Sequence, residues 1–395
     1  MVTRMTSNLG VVAVPRAVPG ARVATVTWMI TSFDDYPIHQ TSQPVAHTAS
    51  GDPNHYDRYF FNGYSADGRT FFAVAMGLYP NRNVMDASFS VVIDGEQVNV
   101  HSSARAHPDR MKCTTVGAVT VEVEEPLRRH RILVDAPEHG LRADLRFEAT
   151  SLPYEEPPFR LRNGSRTVMD YTRLTQSGRW SGWYEVDGTR HDVDPTVVLG
   201  CRDRSWGVRA VGERVQTGAP PVSAPQFYWL WAPVCFDGFT TFFDVNEWSD
   251  GERWHHSAAV ADAQKEPREA WSVDYDIRWQ SGTRHMQAFT LRYRFRDEDV
   301  TLEFEPLMHF QMFGLGYGHP EWTHGAWKGE AVTGGDRFAV PVGDPMAPHN
   351  IHVQTLSRVK CTRGGTVHEG VGILETLVMG VHSPSGLEGL LDPAR

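Results

Sequence analysis

Cysteine is scarce in this chain and scattered: Cys113, Cys201, Cys235 and Cys361 lie far apart in 395 residues, with no C-x-x-C pair and no histidine at finger spacing. That excludes a disulfide scaffold and a zinc module, and leaves the thiols to be read as free, buried, small core residues. Long apolar runs are missing too. The stretch from Leu9 to Val14 is broken by Pro15, Arg16 and Pro19 before it reaches signal-peptide length. Nothing approaches the roughly 20 apolar residues of a membrane span, so a cytoplasmic protein with a loose N-terminal arm, residues 1–24, is expected. Positive charge is in deficit, with a formal net charge of −10, which argues against a nucleic-acid partner because phosphate backbones need a basic surface. There is no Walker loop, no G-x-G-x-x-G between a strand and a helix, and no G-x-S-x-G elbow. No cofactor is therefore expected, and a serine hydrolase is disfavoured. Helical periodicity is almost absent as well. Ala258 to Ala270 alone leaves room for a short helix, and Pro267 limits it.

What is present is β patterning. Leu141, Ala143, Leu145 and Phe147 alternate with Arg142, Asp144, Arg146 and Glu148, the period-2 pattern of a strand with one face in a core. The same alternation recurs from Val119, Val273, Phe289 and Val300. Asp67-Gly68, Asp94-Gly95, Asp187-Gly188, Asp237-Gly238 and Asp250-Gly251 separate strand-like runs, and Asp-Gly supplies the positive φ that tight hairpins need. These patterns predict an all-β protein of antiparallel sandwiches or barrels. Its length suffices for two domains, and Gly212 to Pro225 reads as the linker between them. The expected division is 25–211, linker 212–225, and 226–395.

Two polar knots interrupt this pattern. Arg202-Asp203-Arg204-Ser205-Trp206-Gly207-Val208-Arg209 packs three arginines, a carboxylate and a tryptophan between apolar segments. Such groups are costly to bury unless they pair or work. In an extended strand Asp203, Ser205 and Arg209 share one face and Arg202, Arg204 and Trp206 the other, unless Gly207 introduces a bulge. Asp203 reads either as a general acid, if an apolar wall raises its pKa, or as a buried partner of Arg209 or Arg204. The second knot holds His319, Glu321, Trp322 and His324 within one loop, suited to acid/base or hydroxyl-binding work or to a plain structural turn. His-x4-His lacks the helix that would align metal ligands, so no metal is expected. His255-His256 reads as a solvent-edge strand end. A third group, Phe227 to Trp231, puts Phe227, Trp229 and Trp231 on one strand face and Tyr228 and Leu230 on the other. Aromatic faces of this kind fill cores and also stabilise developing cations.

The run Gly200 to Arg209, of the form Gly-x-Arg-Asp-x-Ser-Trp-Gly-x-Arg, resembles the hallmark of the AttH-like/carotenoid 1,2-hydratase (hydroxyneurosporene synthase) superfamily. The stretch Gly318 to Gly329 and the segment Glu369-Gly370-Val371-Gly372-Ile373-Leu374-Glu375 are similar to its less characterised bacterial branch. The resemblance runs from about Thr25 to the C-terminal region. It implies two tandem lipocalin-like β domains with a ligand cavity in or between them, and hydration, cyclisation or pericyclic chemistry on hydrophobic isoprenoid or polyketide substrates. It fixes fold better than reaction. The expectation is a cofactor-independent lyase or isomerase for a small hydrophobic, terpenoid-like substrate, or a carrier on the same scaffold, with a homodimer left open. Asp203, His319, Glu321 and His324 are the expected acid/base residues. Trp206, Arg209, Tyr228, Trp231 and Trp322 are expected to shape an apolar pocket near the domain interface.

Overall fold

The alternation at Leu141 becomes the strand Leu141–Ala149, with Leu141, Ala143, Leu145 and Phe147 buried and Arg142, Arg146 and Glu148 exposed. The strands Val119–Glu125, Ser272–Trp279, Met286–Arg294 and Asp299–Gln311 form where the same pattern predicts them. At Asp94-Gly95 and Asp187-Gly188 both turn residues have positive φ, as a two-residue hairpin requires. The computed structural model describes residues 32–112, 114–212, 219 and 224–395. The expected N-terminal arm, Cys113 and most of the expected linker lie outside the described residues. Cys201, Cys235 and Cys361 are free and buried.

Ala258 to Ala270 is not helical. Its first half completes the strand Arg253–Asp262, and Arg268–Glu269 is a further short strand beyond Pro267. Ala258 and Val260 enter one apolar cluster and Ala259 and Ala261 another. Small residues buried on both faces hide the strand's alternation.

The strands form two antiparallel sheets, of 14 and 10 strands among the described residues. The first curls around Phe61, Phe89, Ile132, Phe147 and Trp180. Its far end returns to the strand Glu96–Arg105, where the Ala118 N–H donates to Ser102 Oγ at 3.2 Å. The second curls around Tyr228, Phe243, Phe289 and Tyr293, and Arg253 Nη1 reaches the Val273 carbonyl at 2.6 Å across its closure. These are two tandem lipocalin-like domains. One strand departs from the tandem order: Val332–Ala339 pairs with Glu96–Arg105 at the edge of the first sheet. The expected division assigns this strand to 226–395, yet its hydrogen bonds belong to the first sheet. No helix among the described residues is long and apolar enough to cross a membrane.

The two sheets also meet face to face. The strand Phe71–Tyr79 is buried at every position because one side lines its own barrel and the other packs on the second sheet. Phe60, Tyr64, Phe71, Trp229, Trp231 and Phe310 form a third apolar cluster there. Phe71 and Phe310 stack at 4.7 Å between centroids. Burying each such side chain contributes roughly 1.5–3 kcal/mol, enough to hold a polar site in register between the barrels.

Candidate active site

Asp203 lies within the strand Val198–Val208, opposite Phe60 of the strand His55–Ser65 and Thr175 of the strand Arg166–Val186. Pairing continues unbroken to Val208, so Gly207 makes no bulge. Its φ of 137° and the Asp170 carbonyl, into which a Cβ would run, explain why glycine stands there. Cys201, Asp203 and Ser205 thus face the second barrel, while Arg202, Arg204 and Trp206 point the other way. Arg204 pairs with Asp57 and lies 4.0 Å from the Tyr59 ring centroid, so it is not the partner of Asp203. Asp203 remains partly accessible, and its carboxyl makes no hydrogen bond or salt bridge among the described residues.

Burial pushes the Asp203 carboxyl above the ordinary range, and Glu375 pushes it further, while Arg173 and Arg209 pull back without cancelling the rise. Glu375 lies across the interface on the strand Thr366–Met379 and takes the opposite course. Burial alone would raise it, but it accepts bonds from Trp229 Nε1 at 3.0 Å, His352 Nε2 at 2.9 Å and Gln354 Nε2 at 2.7 Å, and its pKa falls. Two nearby carboxyls with pKa values driven apart are a source of acid/base asymmetry.

Arg173 sits beside this pair. Its guanidinium lies 4.7 Å from the Trp229 ring and 5.3 Å from that of Trp231, and its Nε donates to Glu156 Oε2 at 2.6 Å. Its Nη2 reaches Asp244 Oδ2 at 3.3 Å, and His255 Nε2 meets the same oxygen at 3.3 Å. Burial and the charge of Asp244 raise the Glu156 carboxyl despite Arg173. Asp244 is held low because His255, Glu156 and Arg173 together outweigh its burial. Ligand atoms of Glu156, Asp244 and His255 lie within 4.8 Å of one another, as a metal site requires. Arg173 already supplies the cation there.

The second knot divides. His324 is buried and donates from Nε2 to the Leu315 carbonyl at 2.9 Å, an oxygen that also accepts from Arg58 Nη2 at 3.3 Å. Burial, then Arg58 and Arg209, push its pKa far down, and the ring packs edge-on against Tyr317. His319 belongs to a different cluster. Its Nδ1 accepts the Glu321 and Trp322 N–H groups at 3.0 and 2.8 Å, which leaves the ring proton on Nε2, bonded to Asp336 Oδ2 at 2.8 Å. Asp336 also takes His101 Nε2 at 3.2 Å and Asn99 Nδ2 at 2.6 Å. His101, His319 and Asp336 have metal-like spacing, but that proton closes the His319 ring to a cation.

Of the residues expected at the site, Asp203, Arg209 and Trp231 come together, with His324 behind them. Glu321 is exposed, Trp206 is 42% exposed on the opposite strand face, and Trp322 stacks on His101 at 5.7 Å. Tyr228 lies inside the second barrel, where it accepts from the Tyr275 hydroxyl at 3.1 Å. The interface is therefore ringed with charge rather than purely apolar. Two surface clefts, of about 730 Å³ beside His139, Asp187 and Arg337 and about 490 Å³ beside Asp262, Glu298 and Arg363, lie away from Asp203. His255 is 5% exposed, not at a solvent edge, because Phe159 stacks on it at 3.6 Å. Arg173, Glu156, Asp244 and Glu375 were not singled out from sequence. Glu375 closes the Glu369–Glu375 segment, whereas the others have no local motif.

The fold resembles that of kievitone hydratase from Nectria haematococca, with a TM-score of 0.51 and 13% identity over 85% of this chain and 94% of that one. It also resembles an AttH protein from Nitrosomonas europaea, with a TM-score of 0.51 and 15% identity over 92% of this chain and 99% of that one. The class so defined is one of fold, the tandem β-barrel fold that these two structures share. The chain belongs to the family of unknown function DUF8625, which matches residues 30–388. No curated protein matches it.

Proposed function

We propose that the protein is a hydratase, dehydratase or cyclase that works without a bound cofactor on a hydrophobic, terpenoid-like substrate in the cytoplasm. The observation that carries this reading is Asp203: a raised, partly accessible carboxyl with no direct partner, set between the two barrels. Asp203 gives its proton to one alkene carbon, and water adds to the other carbon and returns a proton to the Asp203 carboxylate. Dehydration is the reverse, and in cyclisation a second alkene of the substrate replaces water as nucleophile, the resulting cation then losing a carbon-bound proton to the Asp203 carboxylate. The Trp229 and Trp231 rings already carry the Arg173 guanidinium at 4.7 and 5.3 Å, so stabilisation of the developing cation falls to carboxylate charge. Ionised Glu375 stabilises that cation and disfavours premature ionisation of Asp203. The printed names of the structural relatives include a hydratase, which fits this chemistry but adds nothing about substrate.

The experiment is incubation of the full chain with terpenoid and prenylated alkenes in deuterated water, read by mass spectrometry for carbon-bound deuterium. Wild type incorporates label and Asp203→Asn does not. Equal incorporation by both proteins would sink the acid role, and binding without incorporation by wild type would favour a carrier.

A further inference from the structure

Three arginines surround Asp203 at the interface, and they are not equivalent. Arg58 lies 3.6 Å from Asp86, and Arg173 holds Glu156 and Asp244. Arg209 has no salt bridge among the described residues. Its guanidinium lies 4.7 Å from the Tyr56 ring centroid and 5.8 Å from that of Tyr317, and its Nε is buried without a hydrogen-bond partner. Asp203 is a carboxyl whose charge interacts with it. An acid must hold its proton before it reacts, so in the reactive state Asp203 brings no charge to Arg209. Arg209 is half-buried, with the phenol groups of Tyr56, Tyr171 and Tyr317 and a hydrogen bond to Tyr317 favouring its charge, but no carboxylate is bonded to it, and a charged oxygen is a stronger partner than a phenol.

We infer that the substrate supplies the missing anion: an enolate, phenolate or carboxylate oxygen that docks on the Arg209 guanidinium between Tyr56 and Tyr317. This rests on the reading of Asp203 as the acid. It narrows the substrate from a plain hydrocarbon to an apolar molecule bearing one acidic oxygen. A planar guanidinium suits such an oxygen because it offers parallel N–H donors, and the aromatic faces complement a flat, conjugated anion. The bound anion also occupies the cation that would otherwise stabilise ionised Asp203. Binding and retention of the acid proton are thereby coupled.

The test uses 4-hydroxycoumarin, an enolate at neutral pH, against coumarin, which lacks that oxygen, by calorimetry on the full chain. Wild type is expected to prefer the enolate by about 10- to 100-fold, the range of a charge-assisted hydrogen bond. Arg209→Gln should reduce the preference to near unity with coumarin affinity unchanged, and Arg209→Lys should retain part of it. In wild type the preference should also vanish as pH falls far enough to protonate the probe, which needs no variant to fold. Equal binding of both probes, binding of neither, or a preference that survives in Arg209→Gln overturns the inference. The readout requires no turnover, so it is separable from the acid role: Asp203→Asn should keep the preference whether or not it abolishes catalysis.

Discussion

The two polar knots are alike in composition and opposite in state. Around Asp336 every partner is matched: Asn99, His101 and His319 all bond to its carboxylate, and the other nitrogen of His319 is taken by two backbone N–H groups. Around Asp203 charge is just as dense, but the carboxyl itself is unmatched and its pKa is pushed up, not down. Asp336 goes the other way, since bonds from His101 and His319 outweigh its burial. Polar density says that a chain must pair or work, and hydrogen-bond satisfaction separates the two.

The sharpest way to break this contrast is Asp203→Asn. Turnover should fall by about 10²-fold or more, the typical worth of a general acid. Stability should not fall with it. A carboxyl whose folded pKa is raised binds more protons folded than unfolded, so wild type loses stability as pH climbs from the unfolded pKa through the folded one. The asparagine variant lacks that loss, and its melting temperature relative to wild type should rise from acid to neutral pH. A large drop in melting temperature at neutral pH would instead make Asp203 a structural ion-pair residue.

Asp244→Asn comes next. It leaves His255 without its carboxylate and Arg173 with Glu156 alone, and denaturant melts should report a loss of about 3–5 kcal/mol. Asp336→Asn should cost about 1–3 kcal/mol through orphaned imidazole donors, with turnover per folded molecule unchanged. Lost turnover in that variant would bring the His319 loop into the chemistry. A loss of about 1–3 kcal/mol is expected of Glu156→Gln, because both carboxyl oxygens accept, from Arg173 and from Thr175, and the amide turns a donor toward one of them. A loss matching that of Asp244→Asn would mean that Glu156 carries the charge of the pair.

Much of the architecture was legible because one-faced strands such as Leu141–Ala149 advertise their period, and Asp-Gly turns mark their ends. Ala258 to Ala261 misled because small residues buried on both faces carry no period. Asp203 stands out from local charge density, and strand alternation turns it toward the second sheet. Arg173, Asp244 and Glu375 do not stand out, since each is an ordinary strand residue until the second sheet is laid over the first. Trp206 looked like pocket wall by adjacency alone, and strand alternation turns it to the opposite face. His319 and His324 share a loop but belong to separate networks, which spacing cannot reveal.

The strand Val332–Ala339 has a consequence for how the chain is made. Ser102 and Thr333, 231 positions apart, are joined at 3.1 Å in that pairing. During synthesis the edge of the first barrel therefore stays open until most of the second has left the ribosome. Contacts this distant form late, and an unpaired edge recruits foreign strands in the meantime. A chain released early would expose that edge permanently, whereas a separately supplied C-terminal half could close it by strand donation.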